Sequence, residues 1–216
     1  MEQPKKRTFT ENMRLWFKGI LDPIANFFIR IGLTPTAITL IGVAGNVVAA
    51  FLIANGQLLW GGILALLMGP LDALDGTMAR LRGEASNWGA FVDSVSDRYS
   101  ELILMGGLLY FYANADPSNM IGVMLVFAAA AGSVLVSYTK ARADSLKFDA
   151  NTGILTRMER YMILAPGMVL GYYYSNILLV AIAIIAILAN ITAFQRIWRV
   201  RKQGHELLRQ MKQNKT

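Results

Sequence analysis

Residues 72–97 read DALDGTMARLRGEASNWGAFVDSVSD. Four aspartates lie in this stretch, yet apolar sequence flanks it on both sides, LLWGGILALLMGPL over 58–71 and LILMGGLLYFYA over 102–113. Asp72 and Asp75 stand at i and i+3, Asp93 and Asp97 at i and i+4, so on helices each pair shares one face. Antiparallel helices joined by a short turn, Leu81 to Trp88, bring the two faces together. Four carboxylates at close range in a low-dielectric setting cannot all stay ionised without a compensating cation. A divalent metal supplies one, and oxygen-only ligands favour Mg²⁺, Mn²⁺ or Ca²⁺.

Outward from this stretch the chain is mostly apolar. Of its 216 residues 55% are hydrophobic and 16% charged, with a mean hydropathy of +0.42, which takes it outside the range of soluble domains. Six apolar stretches follow one another: Ala37 to Ala54, Leu58 to Arg80, Gly89 to Ala113, Met120 to Arg142, Tyr161 to Tyr174 and Ile177 to Phe194. Each approaches the ~20 residues that cross a bilayer as a helix. The connections Asn55-Gly56-Gln57, Asn114 to Asn119 and Ser175-Asn176 carry no Lys or Arg. The basic residues gather instead at Lys5 to Arg30, Arg80 and Arg82, Lys140 to Arg160, and Arg196 to Lys215. The positive-inside rule therefore puts both termini, and the aspartates, on the cytoplasmic side of the cell membrane.

Ahead of the first stretch, Met13, Trp16, Phe17, Ile20, Leu21, Ile24, Phe27, Phe28 and Ile31 recur at helical spacing, while Arg14, Lys18 and Arg30 leave that stripe. This predicts an interfacial amphipathic helix, with Pro23 breaking or kinking it and Thr8-Phe9-Thr10-Glu11 as a capping box. No cleavable signal peptide is expected. The reading is an all-α integral membrane protein of six transmembrane helices: an N-terminal segment 1–33, a membrane domain 34–196 and a basic cytoplasmic tail 197–216. The net charge of +7 then speaks for lipid contact and topology rather than nucleic acid.

Cysteine is absent and the one histidine, His205, sits in the tail, which excludes thiolate metal sites, disulfides and His-based triads. Chemistry must come from carboxylates, Lys/Arg and hydroxyls. Adjacent divalent ions shared by carboxylates suit in-line substitution at phosphorus. Gly76 and Ala79 leave room between helices for a ligand, and Arg80 offers a forked donor to a phosphate.

The pattern D-x-x-D-G-x-x-A-R, eight residues, G-x-x-x-D-x-x-x-D resembles the signature of the CDP-alcohol phosphotransferases at every fixed position. The resemblance implies two Mg²⁺ ions, with Mn²⁺ a possible substitute, held by Asp72, Asp75, Asp93 and Asp97. It places the CDP moiety of a CDP-linked lipid against Gly76, Ala79, Arg80 and Gly89, and makes Asp97 the general base. Thr34-Pro35-Thr36-Ala37-Ile38-Thr39 is similar to the family's segment before the first span, where Thr36 and Thr39 match nucleotide-side positions, although Thr36 stands where Asn or Asp is more usual. Ser86 matches another. Thr36 and Thr39 are equally the residue type that caps a helix. Homodimers are common in the similar family.

Lys140, Arg142, Lys147, Arg157, Arg160 and Arg196 gather at the cytoplasmic ends of the last three stretches. Part of this is topology, as for Arg82. The subset Ser137, Lys140, Arg160 and Arg196 resembles the acceptor-phosphate pocket of prokaryotic phosphatidylinositol-phosphate synthases. That implies a phosphorylated polyol acceptor, inositol 1-phosphate first and glycerol 3-phosphate as the alternative, with a diacyl or ether donor equally compatible. Glu101 is expected to pair with Arg98, Asn46 to serve helix packing, and Pro166 to kink the fifth span. The reading from another class is an ion-coupled transporter, which would hold its acids near the bilayer midplane.

Overall fold

Only helices are present among the described residues of the computed structural model, which cover 9–115 and 117–213, with side chains from Gly19 onward except those of Ile20 and Ser175. They are α1 (Phe9–Arg30), α2 (Pro35–Ala54), α3 (Leu58–Arg82), α4 (Asn87–Ala113), α5 (Met120–Ser145), α6 (Arg157–Gly171) and α7 (Ser175–Gln213). Four are long and apolar enough to cross a membrane: Pro35–Ala54, Leu58–Arg82, Met120–Ser145 and Asn176–Gln213. The chain is an all-helical membrane protein. In α4 the residues Asp93, Asp97, Arg98 and Glu101 dilute the apolar sequence, and α6 has only 15 residues. α7 runs unbroken into the polar tail, and 39 residues make about 58 Å of helix, nearly twice the ~30 Å hydrocarbon thickness.

Pro23 does not break α1, which continues through it to Arg30. A proline removes one N–H and leaves the bonds of neighbouring turns to carry the helix. The expected capping box begins at Thr8, and Thr8 and the side chains of Met13, Trp16, Phe17 and Ile20 lie outside the described residues. Pro70 and Pro166 likewise stand inside continuous helices.

The chain divides into two compact units. The first comprises residues 1–45 and 67–100, with a core of Ala25, Ile38, Leu74 and Met78. Leu21 and Phe28 of α1 pack against that core, while Ile24, Phe27 and Ile31 stay exposed. The turn between α3 and α4 has a local cause. Gly83, at φ 68°, ends α3 with its N–H on Arg80 O and that of Glu84 on Ala79 O. Ser86 then starts α4, its Oγ accepting from Gly89 N at 3.1 Å.

The second unit comprises residues 46–66 and 101–216. Ile53, Leu104, Leu108, Met168, Ile182 and Ile185 form the centre of its core, and Asn46 is buried. Small residues let its backbones approach: a Cβ on Gly107 would lie 2.6 Å from Ala50 O, and one on Gly62 2.9 Å from Val169 N. α6 opens on Thr156, whose N–H donates to the Glu159 carboxylate to close a capping box.

Candidate active site

In the first unit, the capped turn sets the end of α3 beside the start of α4. Asp72, Asp93 and Asp97 each present one carboxylate oxygen, and the three oxygens lie within 4.8 Å of one another. The i, i+4 spacing on α4 and the tight turn at Gly83 account for the convergence. This is the donor set of a hard divalent cation: oxygen only, with no cysteine and no histidine in the unit.

Asp75 stands beside this group rather than in it. It is buried, within coulombic range of Asp72 and Asp93, and its carboxylate accepts from the Thr39 hydroxyl and from Gly76 N. Thr39 is thus committed to Asp75 and to Pro35 O, at 3.2 Å from the latter. The hydroxyl that caps α2 belongs to Thr34, which accepts from Ala37 N at 3.2 Å, so neither Thr36 nor Thr39 serves as the cap. Thr36 is half-buried.

Arg80 is exposed, its Nη2 donating to Thr77 Oγ1 at 2.8 Å, and a Cβ on Gly76 would still clear Arg80 Nη1 by 3.6 Å. Ala79 and Gly89 are half-buried. Arg82 pairs with Glu84 at 3.5 Å on the surface. Arg98 Nη1 donates to Ser94 O and lies 3.5 Å from Asp97 Oδ2, a counter-charge beside the candidate base.

The basic cluster of the second unit is less open than its sequence implies. Glu101 does not pair with Arg98. Its two oxygens take Arg160 Nε at 2.7 Å and Nη2 at 2.9 Å, and Arg160 is only 1% exposed. A planar guanidinium matches both carboxylate oxygens at once, and a buried charge demands that match. Lys140 Nζ lies 2.6 Å from Asp144 Oδ1, one helical turn away. Arg196 donates through Nε to Thr152 O at 2.9 Å and through Nη1 to Val136 O at 2.6 Å. It is half-buried and within coulombic range of Arg160. Ser137 is half-buried and Arg142 exposed.

Residues 32–200 match the family model of the CDP-alcohol phosphatidyltransferases. The chain belongs to the CDP-alcohol phosphatidyltransferase family. It is therefore an enzyme, and the transporter alternative is set aside. This phosphatidyltransferase is 36% identical over 210 residues to phosphatidylinositol phosphate synthase of Streptomyces avermitilis, covering 93% of this chain and 86% of that protein. It is 34% identical over 188 residues to the synthase of Mycobacteroides abscessus, covering 86% and 85%. Its fold is similar to the crystal structure of the Mycobacterium tuberculosis phosphatidylinositol phosphate synthase with CDP-DAG bound, at a TM-score of 0.79 and 31% identity over 84% of this chain and 93% of that one. The same mycobacterial protein in complex with manganese and citrate matches at 0.78, over 83% and 88%.

Two features of the phosphatidyltransferase were missed in the sequence: the Glu101–Arg160 pair, and the contacts of Thr192 with the chain between α5 and α6. Glu101 did carry a signal. It is an acid in an apolar helix that the motif does not use, and such a residue calls for a cation.

Proposed function

We propose that this phosphatidyltransferase moves a phosphatidyl group from CDP-diacylglycerol, or an ether analogue, to the hydroxyl of inositol 1-phosphate and releases CMP. The observation that carries the reading is the convergence of Asp72, Asp93 and Asp97 in a chain of this family. The relatives named as phosphatidylinositol phosphate synthases support the acceptor.

The oxygen-only donor set fits two Mg²⁺ ions, or Mn²⁺, with Asp75 as the fourth ligand. When bound, such ions stabilise negative charge on the phosphoryl oxygens and the departing CMP. Asp97 takes the proton of the acceptor hydroxyl, whose oxygen attacks the phosphorus on the lipid side of the diphosphate. Gly76, Ala79 and Gly89 leave space for the CDP moiety, and Arg80, with Ser86, Thr36 and Thr39, contacts it. Ser137, Lys140, Arg160 and Arg196 hold the acceptor phosphate, with Glu101 fixing Arg160.

The membrane domain 34–196 spans the bilayer six times, α4 and α6 included, behind an interfacial α1 whose exposed Ile24 and Phe27, with Ile31 just after it, meet lipid. Both termini and the aspartates face the cytoplasm, a reading the basic clusters support, and the chain works as a homodimer.

Purified enzyme supplied with CDP-diacylglycerol, Mg²⁺ and a panel of acceptors should release CMP fastest with inositol 1-phosphate. Faster release with glycerol 3-phosphate would move the assignment to phosphatidylglycerophosphate synthesis. A preference for unphosphorylated inositol would reject the phosphate pocket.

A further inference from the structure

The connection from α5 to α6, residues 146–156, is fastened to one face of α7 by Thr192, Arg196, Arg199 and Gln203, which recur at helical spacing. Its outer end is held at Asp149. The backbone N–H of Asp149 donates to Gln203 Oε1 at 2.9 Å, its carbonyl accepts from Gln203 Nε2 at 2.6 Å, and its carboxylate accepts from Arg199 Nη2 at 2.5 Å.

Its inner amides are held by Thr192. Thr192 is wholly buried, and its Oγ1 accepts from both Ile154 N at 3.2 Å and Leu155 N at 3.1 Å. Gly153 lies between Thr152 and these amides with φ 133°, and a Cβ there would come 2.3 Å from Thr192 Cγ2. The strap closes on the threonine because this position has no side chain. The same short segment turns two carbonyls toward the basic cluster. Thr152 O accepts from Arg196 Nε at 2.9 Å, and Leu155 O from Arg160 Nη1 at 3.5 Å.

We infer that Thr192 is a positioning residue for the acceptor site: by fixing the amides of Ile154 and Leu155, it sets the two carbonyls that aim Arg196 and Arg160. The inference rests on the proposed role of those arginines in holding the acceptor phosphate. Valine has the shape of threonine but accepts no hydrogen bond, so Thr192→Val leaves the buried N–H of Leu155 and the part-buried N–H of Ile154 without their acceptor, and the strap must shift to find partners for them. Serine keeps the acceptor.

The test uses the full-length enzyme with Thr192→Val, Thr192→Ser and Gly153→Ala, and with Arg196→Ala as a reference. CMP release is measured against inositol 1-phosphate and against CDP-diacylglycerol, and amide hydrogen exchange is followed over residues 149–156. Thr192→Val should raise the acceptor KM about fivefold or more and speed exchange at 154 and 155, with the CDP-lipid KM within about twofold of wild type. Thr192→Ser should restore both. Gly153→Ala should reproduce the KM change from the strap side, and with Thr192→Ser it carries the test if Thr192→Val does not fold. A loss confined to kcat, an equal rise in both KM values, or Thr192→Ser as damaging as Thr192→Val would overturn the inference and leave Thr192 a packing residue. If Arg196→Ala leaves the acceptor KM at its wild-type value while Thr192→Val still speeds strap exchange, the acceptor-site reading itself fails and the inference with it.

Discussion

Glu101 and Arg160, 59 residues apart in sequence, form a two-pronged buried ion pair, Oε1 to Nε at 2.7 Å and Oε2 to Nη2 at 2.9 Å. Removing one partner of such a pair leaves the other charge buried without compensation, at a cost of about 3–5 kcal/mol, whereas replacing both by apolar residues is often close to neutral. Arg160→Ala should therefore lower the melting temperature of the detergent-solubilised enzyme as well as weaken acceptor saturation. The double change Glu101→Leu with Arg160→Met should recover most of the melting temperature and none of the acceptor affinity. An Arg160→Ala enzyme that melts like wild type would show that Glu101 finds water or another cation.

Asp97 has a more direct role in the proposed mechanism. Asp97→Asn removes the proposed proton acceptor and one proposed metal ligand but leaves Gly76 and Arg80 in place, so turnover should fall by ~10²-fold or more. CDP-lipid binding, read by displacement of a labelled nucleotide, should change little by comparison. Asp72→Asn should damage both. An Asp97→Asn enzyme retaining more than about a tenth of the wild-type rate would remove Asp97 from the role of base.

Three carboxylate oxygens within 4.8 Å, in a chain without cysteine and with its one histidine in the tail, point to a dependence on hard divalent ions. EDTA should abolish CMP release, and Mg²⁺ or Mn²⁺ should restore it. Mn²⁺ binding measured by electron paramagnetic resonance should be lost in Asp72→Asn with Asp93→Asn. Full activity in a metal-free preparation would defeat the metal model.

The strap should be insensitive to mild acid. Asp149 lies outside the spanning helices, and its carboxyl is held below the ordinary range, first by the Asn151 N–H and then by Arg199. A depressed pKa contributes stability that is complete above the unfolded value, ~3.9, and is lost as pH falls through the folded one. Corrected for its intrinsic pH dependence, hydrogen exchange over residues 149–156 should stay flat from about pH 8 to about pH 5 and rise only in stronger acid. Asp149→Asn should exchange faster at all of these values.

Much of the first unit was legible because its determinants are local. Spacings of three and four residues put the aspartates on shared faces, and Gly83 and Ser86 fix the turn between α3 and α4 within a few residues. What was not legible depends on chain segments far apart. Thr39 reaches Asp75 across 36 residues, and Arg160 reaches Glu101 across 59. Arg196 is held by the backbone carbonyls of Thr152 and Val136, groups that every residue carries and no motif marks. The subset Lys140, Arg160 and Arg196, read from the sequence as cations, comes with two carboxylates as well, Asp144 and Glu101.

That compensation makes Arg196 the sharpest test of acceptor specificity. Lys140 is paired with Asp144 and Arg160 with Glu101, whereas Arg196 hydrogen-bonds to neutral carbonyls and has Asp144 within coulombic range rather than in an ion pair, which leaves its charge more available to a ligand. A charge-assisted bond to a phosphate contributes roughly 1.5–3 kcal/mol. Arg196→Ala should thus raise the KM for inositol 1-phosphate about tenfold or more, since ~1.4 kcal/mol is a factor of ten, with the CDP-lipid KM nearly unchanged. The same charge predicts a pH dependence. The dianion of a phosphate monoester takes up a proton near pH 6 and loses half its charge, so the wild-type acceptor KM should rise as pH falls through about 6. In Arg196→Ala that rise should be shallower, because the group that discriminates the dianion is gone. Parallel pH profiles in the two enzymes would mean that Arg196 does not meet the phosphate.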